Sequence, residues 1–458
     1  MNDASSATPG YSLKGKIALA WPLALNALLM QSMLMIDTFL VSPLGEVPLA
    51  AMGIAGAIVA FVMGVQMALA NGTQLVLSRA IGANNALGLS RGYRAGLVIN
   101  GIAAGIFWCA LILFKQPLIE AITSDVATQI ETLNYLAFSQ HLILFNACTQ
   151  VMIALFNGSG RSKVPFKGYL IEMPLNALFS YCLIYGINGE AGLGVEGAAL
   201  GSLLAIAVRF VYLNWCLRKV FAISLTEEPL NAAFRRNIVL HFKEITPIAA
   251  NVTMLQIGVS IYQLLYAQLN LYDYVAITLI MPWLRSGTQF ITAWAHSSAI
   301  IVSQQIGSNQ FHDLRRNIDS SIDIAVAISI ITAGCFYLLS LVIDRFYPDL
   351  DVATYEALTL IAPLYIFLPL LRGYNTVHGH VLRALGKTTA VFKINFIGQW
   401  VVSIPLCAVI ILGLDGSIFW AFAIQPFEEV IKALPFRHLA RKSLQEFDQT
   451  QAEKLMYS

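Results

Sequence analysis

One acidic residue, Asp37, lies in an apolar run from Ile17 to Ser42 that is long enough to cross a lipid bilayer, and it is the only acidic residue in that run. An ionised carboxylate inside hydrocarbon costs roughly 2.5–3.5 kcal/mol on insertion scales, so a chain that keeps one there usually uses it. A carboxylate can take up a proton or pair with a cation. Asp37 is therefore the first candidate for an ion-coupling residue.

The neighbours of Asp37 favour a position facing a cavity. At 100° per residue, Asn26, Met30, Met33 and Asp37 fall within about 60° of each other on one helical stripe. Methionine is flexible and polarizable, which suits varied apolar cations. Two simpler interpretations stay open: the methionines could be ordinary core or lipid-facing side chains, and Asp37 could reach the outer interface, about five residues away.

The composition places these residues in a membrane protein. Of 458 residues, 57% are hydrophobic and only 12% are charged, whereas soluble domains are about 25% charged. A spanning helix needs about 20 mostly apolar residues. Such runs predict twelve transmembrane helices: 17–42, 49–77, 95–114, 131–156, 168–187, 195–217, 245–270, 274–303, 318–343, 353–381, 391–412 and 417–436.

The basic residues indicate the orientation of these spans. Most of the 28 Lys and Arg residues fall on one side of the predicted membrane, whereas only Lys115 and Arg345 fall on the other. The positive-inside rule then predicts that both termini are cytoplasmic. The polar first thirteen residues precede a span too long for a signal-peptide core, so the first span is expected to remain in the protein. The basic residues report topology, and no nucleic-acid partner is expected.

The chain also repeats itself. At an offset of 225 residues Pro22 meets Pro247 and Asn26 meets Asn251, and the loop residues Ile81, Gly82, Asn84, Leu89 and Arg91 meet Ile306, Gly307, Asn309, Leu314 and Arg316. This offset contains an even number of spans, which predicts two parallel six-helix lobes about a pseudo-two-fold axis along the membrane normal. The expected organisation is an N-terminal lobe at 1–217, a cytoplasmic linker at 218–244, a C-terminal lobe at 245–436 and a cytoplasmic tail at 437–458.

Several motifs along the whole chain resemble the multidrug and toxic compound extrusion (MATE) family. They are MIDTFLVSPLGEVPLAAMGI in the first span, SRAIGANN after the second, LFNGSGRSKVP after the fourth and LGVEGAALGS opening the sixth. The acid in the first span is similar to the branch named after the DNA-damage-inducible F protein. The resemblance implies antiport of organic cations or drugs against protons or sodium ions across the bacterial inner membrane, by a protein that functions as a monomer. It also implies that Asp37 couples protons and that Pro22 is a hinge.

The fifth span departs from the family pattern, which has an Asn followed four residues later by an Asp. Here the pair is Asn176 and Ser180, so the resemblance implies cavity-lining roles for these residues but only one acid. Two nearby carboxylates could share a proton or coordinate Na⁺. A single acid therefore favours a proton as the coupling ion, and no other cofactor or metal is expected.

The second lobe favours the same coupling ion. At the 225-residue offset Asp37 falls on Tyr262, so its role belongs to the first lobe. The acids of sodium-coupled members fall here on Leu255 or Gln256 and on Arg372, a cation that disfavours Na⁺ beside it. Arg372 could equally pair with Glu356 or a helix end, and Glu428, Glu429 and Lys432 are expected to pair within the last span.

Smaller patterns are interpreted as structural. The six cysteines are expected to be core residues without disulfides. His378 and His380 project about 160° apart on a helix, which disfavours a metal site. The Gly101–Gly105 and Gly197–Gly201 spacings predict close helix packing. Glu172 shares a stripe with Asn176 and Ser180, and a position at the cytoplasmic interface near Lys167 is favoured over an extended polar path.

Three function classes stay open. A proton-coupled multidrug antiporter is favoured, with sodium-coupled efflux as its variant. A flippase for a lipid-linked precursor needs several cations for a pyrophosphate, and the first half has only Arg209 within a span. An enzyme is disfavoured because no catalytic constellation is present.

Overall fold

The computed structural model describes residues 13–186, 192–221, 232–310, 314–347 and 350–445, and all regular secondary structure in these ranges is helical. A membrane interior offers no water to hydrogen-bond the backbone, and a helix satisfies its backbone groups within one segment. The helical composition therefore follows from the apolar sequence.

The first half of the chain contains seven α-helices. These are α1 (Leu13–Val41), α2 (Glu46–Gly82), α3 (Ala86–Ile122), α4 (Val126–Ser139), α5 (Leu142–Gly158), α6 (Lys163–Tyr185) and α7 (Val195–Val220). A 3₁₀ turn, Ser42–Leu44, separates α1 from α2. The chain bends by 42° between α4 and α5, and these two helices are long and apolar enough to cross a bilayer only when taken together.

The second half contains seven further α-helical segments. These are α8 (Ala232–Tyr266), α9 (Leu271–Gly307), α10 (Leu314–Phe346), α11 (Val352–Ala384), α12 (Thr388–Phe396), α13 (Ile404–Ala408) and α14 (Ile418–Gln445). The π-helical segment Ile397–Ser403 joins α12 to α13, and a second one, Val409–Gly413, follows α13. The four segments form one continuous span, Thr388–Gly413. Such wide turns inside α-helices frequently occur at functional sites.

Each of the twelve predicted spans falls on one of these helices. Among the described residues, eight helical stretches are long and apolar enough to cross a bilayer, or nine when the bent α4–α5 pair is counted as one span. The other three predicted spans fall on α6, α9 and α14, which carry more polar residues. Helices α6 and α14 contain buried ionic side chains of the sites described below.

The chain divides into two compact units, and the division falls inside two helices. Residues 25–246 form the first unit, whereas 13–24 of α1 group with 247–445 in the second. The break in α1 lies two residues after Pro22, and the break in α8 lies directly before Pro247. Proline removes a helix hydrogen bond and favours a bend. Helix α8 begins at Ala232, so part of the expected linker is helical, while 222–231 with Pro229 lie outside the described residues.

The two halves share their loop geometry as well as their sequence. Asn84 and Asn309, which the 225-residue offset aligns, have φ angles of 50° and 56°. Each residue follows a long helix, where a left-handed conformation is a common helix terminator. The internal repeat is thus visible in the backbone.

The two glycine pairs differ in their packing. A Cβ atom on Gly197 would lie 2.5 Å from the carbonyl of Leu183, and one on Gly201 would lie 2.6 Å from the backbone nitrogen of Ser180, so both glycines let α7 approach α6 closely. Gly101 and Gly105 have open space at the same position, and the packing prediction is wrong for that pair. All six cysteines are free, but Cys109 and Cys335 are exposed and so are not core residues.

Candidate functional site

The carboxylate of Asp37 is bound by hydroxyl groups from two other helices. Ser180 Oγ on α6 donates to Asp37 Oδ1 over a long 3.4 Å, and Ser202 Oγ on α7 donates to Oδ2 at 3.1 Å. The Asn176 amide donates to Ser202 Oγ at 2.8 Å. The site thus joins three helices of the first unit through neutral polar groups.

The packing of α6 against α7 positions these donors. Asn176 and Ser180 lie one turn apart on α6 and are both fully buried. Gly201 allows the backbones to meet beside Ser180, which brings the adjacent Ser202 to the Asp37 carboxylate. Ser202 has no counterpart among the sequence predictions, because a serine in an apolar helix gives no separate signal of function.

The site tolerates either protonation state of Asp37. A serine hydroxyl rotates and can donate to a carboxylate or accept from a carboxylic acid. The buried Oδ1 of Asn176 has no hydrogen-bond partner among the described residues, so a further acceptor is available beside Ser202. A lysine or arginine partner, in contrast, would only stabilise the ionised form.

Glu172 and Arg209 form a buried ion pair in the first unit. Glu172 Oε2 lies 2.7 Å from Arg209 Nη1, and both side chains are about 96–97% removed from solvent. The Arg209 guanidinium also stacks over Tyr169 at 4.3 Å. The buried Glu172 charge is thus offset by Arg209, while a position at the cytoplasmic interface near Lys167 stays a prediction.

The remaining predicted site residues all lie on α1. Pro22 is inside the helix, Asn26 is buried with an unpaired Oδ1 among the described residues, and Met33 is partly buried. Met30 is 39% exposed. Asn26 lies eleven residues before Asp37, or about 16 Å along the helix. These residues follow the same stripe without joining the hydroxyl cluster, and their cavity-lining roles stay predictions.

The second unit holds a different cluster around Tyr262, the residue aligned with Asp37. The Tyr262 hydroxyl donates to Glu428 at 2.7 Å, and Lys432 Nζ lies 2.8 Å from Glu428 and 3.5 Å from Glu429. The expected pairing within the last span is present. Arg372 Nε lies 3.4 Å from Glu429, so this arginine pairs with Glu429 and not with Glu356.

The histidines and acids form no metal centre in the described ranges. No group of three or more His, Cys, Asp or Glu side chains there is arranged to hold a metal ion. His380 packs against His296 at 5.6 Å between ring centroids, and His378 packs against Tyr374 at 4.2 Å.

Two repeated helical units, with one acid held by neutral donors inside an apolar helix, define a polytopic membrane protein of the duplicated transporter class. The MatE family profile matches residues 22–182 and 247–409. The chain belongs to this family. The two matches begin at Pro22 and Pro247, the residues that the internal repeat aligns, so each half carries one copy of the family unit.

Individual relatives are distant in sequence. A probable multidrug resistance protein NorM of Streptococcus pneumoniae is 24% identical over 313 residues, which cover 65% of this chain and 66% of the relative, just under two thirds of its length. The uncharacterized transporter YisQ of Bacillus subtilis is 21% identical over 400 residues, with 85% of both chains covered. The second of these relatives is named as a transporter.

Solved structures share the fold over nearly the whole chain. The MATE transporter VcmN of Vibrio cholerae in its bent form has a TM-score of 0.83 at 18% identity, with 95% of this chain and 98% of that chain covered. The eukaryotic MATE transporter AtDTX14 has a TM-score of 0.83 at 15% identity, with 97% and 98% covered. The predicted fold class, an all-α membrane protein with twelve transmembrane helices in two lobes, is confirmed.

Proposed function

We propose that this protein is a proton-coupled antiporter that exports cationic or amphiphilic drugs and toxic organic compounds across the bacterial inner membrane by alternating access. It works as a monomer with both termini in the cytoplasm, and the proton is its coupling ion. We place it in the branch of the DNA-damage-inducible F protein. The observation that carries the proposal is the Asp37 carboxylate, which Ser180 and Ser202 bind and which no cationic side chain of the described residues contacts.

The choice of ion rests on the neutral surroundings of Asp37. The position four residues after Asn176 is Ser180, so no second carboxylate lies there to share a proton or help to coordinate Na⁺. The serine hydroxyls satisfy both the charged and the protonated acid. Among the coupling ions that the family uses, the proton fits this site best.

The cycle requires one group to bind the exported cation and the proton in turn. Ionised Asp37 pairs with the cation, and a proton from outside then bonds to its carboxylate and removes the cation's partner. The cation leaves, the transporter reorients, and the proton returns to the cytoplasm. A proton moving down a 100 mV potential supplies about 2.3 kcal/mol, which biases a two-state equilibrium by well over tenfold.

Helix α1 is suited to carry this change between the two units. Pro22 lies inside the helix, and the boundary between the units falls between Ala24 and Leu25. A proline interrupts the hydrogen-bond ladder at the place where the packing partners change. We assign Pro22 as the hinge, with Asn26, Met30 and Met33 on the substrate side of α1 and Asn176 and Ser180 facing them from α6.

The test is transport into everted membrane vesicles that hold a proton gradient and contain no sodium. Wild-type protein is expected to transport a cationic dye, and Asp37→Asn is expected to reduce transport to the background of empty vesicles at equal expression. Asp344→Asn, the same change at an exposed acid, is the control. A strict sodium requirement or full transport by Asp37→Asn would contradict the proposal.

A further inference from the structure

The second unit contains a polar cavity that the coupling site does not use. It has a volume of about 110 Å³. Since a bound water needs roughly 10–15 Å³ of such volume, it has room for several waters or a small polar group. Residues of α8, α9, α11, α14 and the first π-helical segment line it, including Tyr262, Tyr266, Arg285, Arg372 and Gln399.

The carboxylates at this cavity are already neutralised. Glu428 accepts from Tyr262 and pairs with Lys432, and Glu429 pairs with Lys432 and Arg372. Asn375 also donates to Glu429 Oε2 at 2.8 Å. Two acids therefore face two cations with most of their acceptor sites occupied, so they offer little to a cationic ligand.

Arg285 adds a positive charge to the two acids and two cations that already pair with each other. It lines the cavity, and it forms no ion pair with any described residue. The Arg285 side chain is exposed, so a ligand can reach it. A planar guanidinium with five donors matches a carboxylate in two-point geometry. Lys432 pairs with both glutamates without itself lining the cavity, so with it the cluster carries one excess positive charge, which favours an organic anion.

Other lining residues of the cavity supply an unpaired acceptor and apolar contact. Gln399 is 3% exposed, and its Oε1 has no hydrogen-bond partner among the described residues. Gln399 lies in the π-helical segment Ile397–Ser403 and packs against Gly258. A Cβ atom on Gly258 would lie only 2.4 Å from the Gln399 side chain. Tyr262 and Tyr266 stack at 6.1 Å, and Val259 and Met281 complete the wall.

We propose that this cavity binds the carboxylate end of an amphiphilic organic acid or zwitterion, with Arg285 as its ionic partner and Gln399 accepting a hydrogen bond from the ligand. The inference concerns equilibrium binding in the second unit and does not depend on the coupling role of Asp37. It adds acids and zwitterions to the compounds that the protein recognises.

The test uses dansylglycine, which has a carboxylate beside a sulfonamide N–H, and its methyl ester as a neutral matched probe. Binding is measured by equilibrium dialysis against the full-length protein in lipid nanodiscs, with binding to empty nanodiscs subtracted. Wild-type protein is expected to bind the acid at least about tenfold more tightly than the ester, as expected for one charge-assisted contact. Equal binding of the two probes, or binding that empty nanodiscs reproduce, would overturn the proposal without any variant.

Variants then locate the site. Arg285→Gln is expected to weaken acid binding about tenfold and leave ester binding unchanged, whereas Arg285→Lys gives an intermediate loss because the charge stays but the planar fork is lost. Arg315→Gln, a change at an arginine whose side chain is 77% exposed, is the control and keeps full acid binding. Unchanged acid affinity in a folded Arg285→Gln protein would place the anion elsewhere and overturn the assignment.

Discussion

The two halves of the protein surround the aligned residues Asp37 and Tyr262 with different partners. In the first unit the described residues that donate to Asp37 are the neutral Ser180 and Ser202. In the second unit the aligned residue is Tyr262, which donates to a glutamate already paired with Lys432. The Asp37 carboxylate of the first unit is therefore free to change its partner. The glutamates of the second unit are held in a cluster by Lys432 and Arg372. The distribution of counter-charges, and not the number of acids, separates a coupling site from a structural one.

The largest expected effect comes from breaking the cluster of the second unit. Lys432→Met leaves Glu428 and Glu429 buried without their shared cation, and removing one partner of a buried pair costs about 3–5 kcal/mol. Thermal and denaturant unfolding of the purified protein in detergent measure the loss. Lys393→Met, at an exposed lysine of α12, is the control and should change stability by less than about 0.5 kcal/mol. Wild-type stability of Lys432→Met would mean that the cluster contributes little.

The next effect concerns the helix contact that supports the coupling site. Gly201→Ala places a methyl group 2.6 Å from the backbone nitrogen and from Oγ of Ser180. Overpacking of this kind costs about 1–3 kcal/mol, and it also displaces a donor to Asp37, so both stability and transport should fall. Gly101→Ala, where the new methyl meets open space, should leave both nearly unchanged. Similar behaviour of the two variants would contradict the role assigned to close α6–α7 packing.

A smaller effect should follow from the donor that sequence reasoning missed. Ser202→Ala removes a hydroxyl bonded to a carboxylate, an interaction worth about 1.5 kcal/mol, and dye transport should fall about tenfold. Ser202→Thr keeps the hydroxyl and should restore most of the transport. If Ser202→Ala transported at the wild-type rate, Ser180 and Asn176 alone would have to support Asp37.

The smallest effect is expected at the aligned position of the second unit. Tyr262→Phe removes one hydrogen bond to Glu428, which keeps Lys432 as its partner. We expect a stability loss of about 0.5–1.5 kcal/mol and no change in proton-driven dye transport. Loss of coupling in this variant would show that both units carry the proton and would remove the contrast between them.

Much of the fold could be predicted because membrane burial leaves strong patterns. Apolar runs located all twelve helical spans, and the 225-residue offset located the repeat that both family matches reproduce. The unit boundaries were harder, because hydropathy does not show that residues 13–24 of α1 pack with the second unit. Helix ends also extend beyond the apolar runs, as α8 does at Ala232.

The site was predictable only in part. Asp37 is conspicuous as a charge in hydrocarbon, and Asn176 and Ser180 entered through the family pattern. Ser202 and the Glu172–Arg209 pair depend on how α6 meets α7, a contact between residues 26 to 37 positions apart that no local pattern specifies. The Arg372–Glu429 pair was missed for the same reason, since the two residues are 57 positions apart.

The central claim, that Asp37 exchanges a proton for a cation, is tested most directly by proton release from the purified protein. A cationic dye is added to unbuffered protein in detergent over a range of pH, and a pH indicator records released protons while dye binding is measured in parallel. Wild-type protein should release protons as the dye binds, and Asp37→Asn, although folded, should release none. Equal proton release from the Asp37→Asn protein would contradict the account.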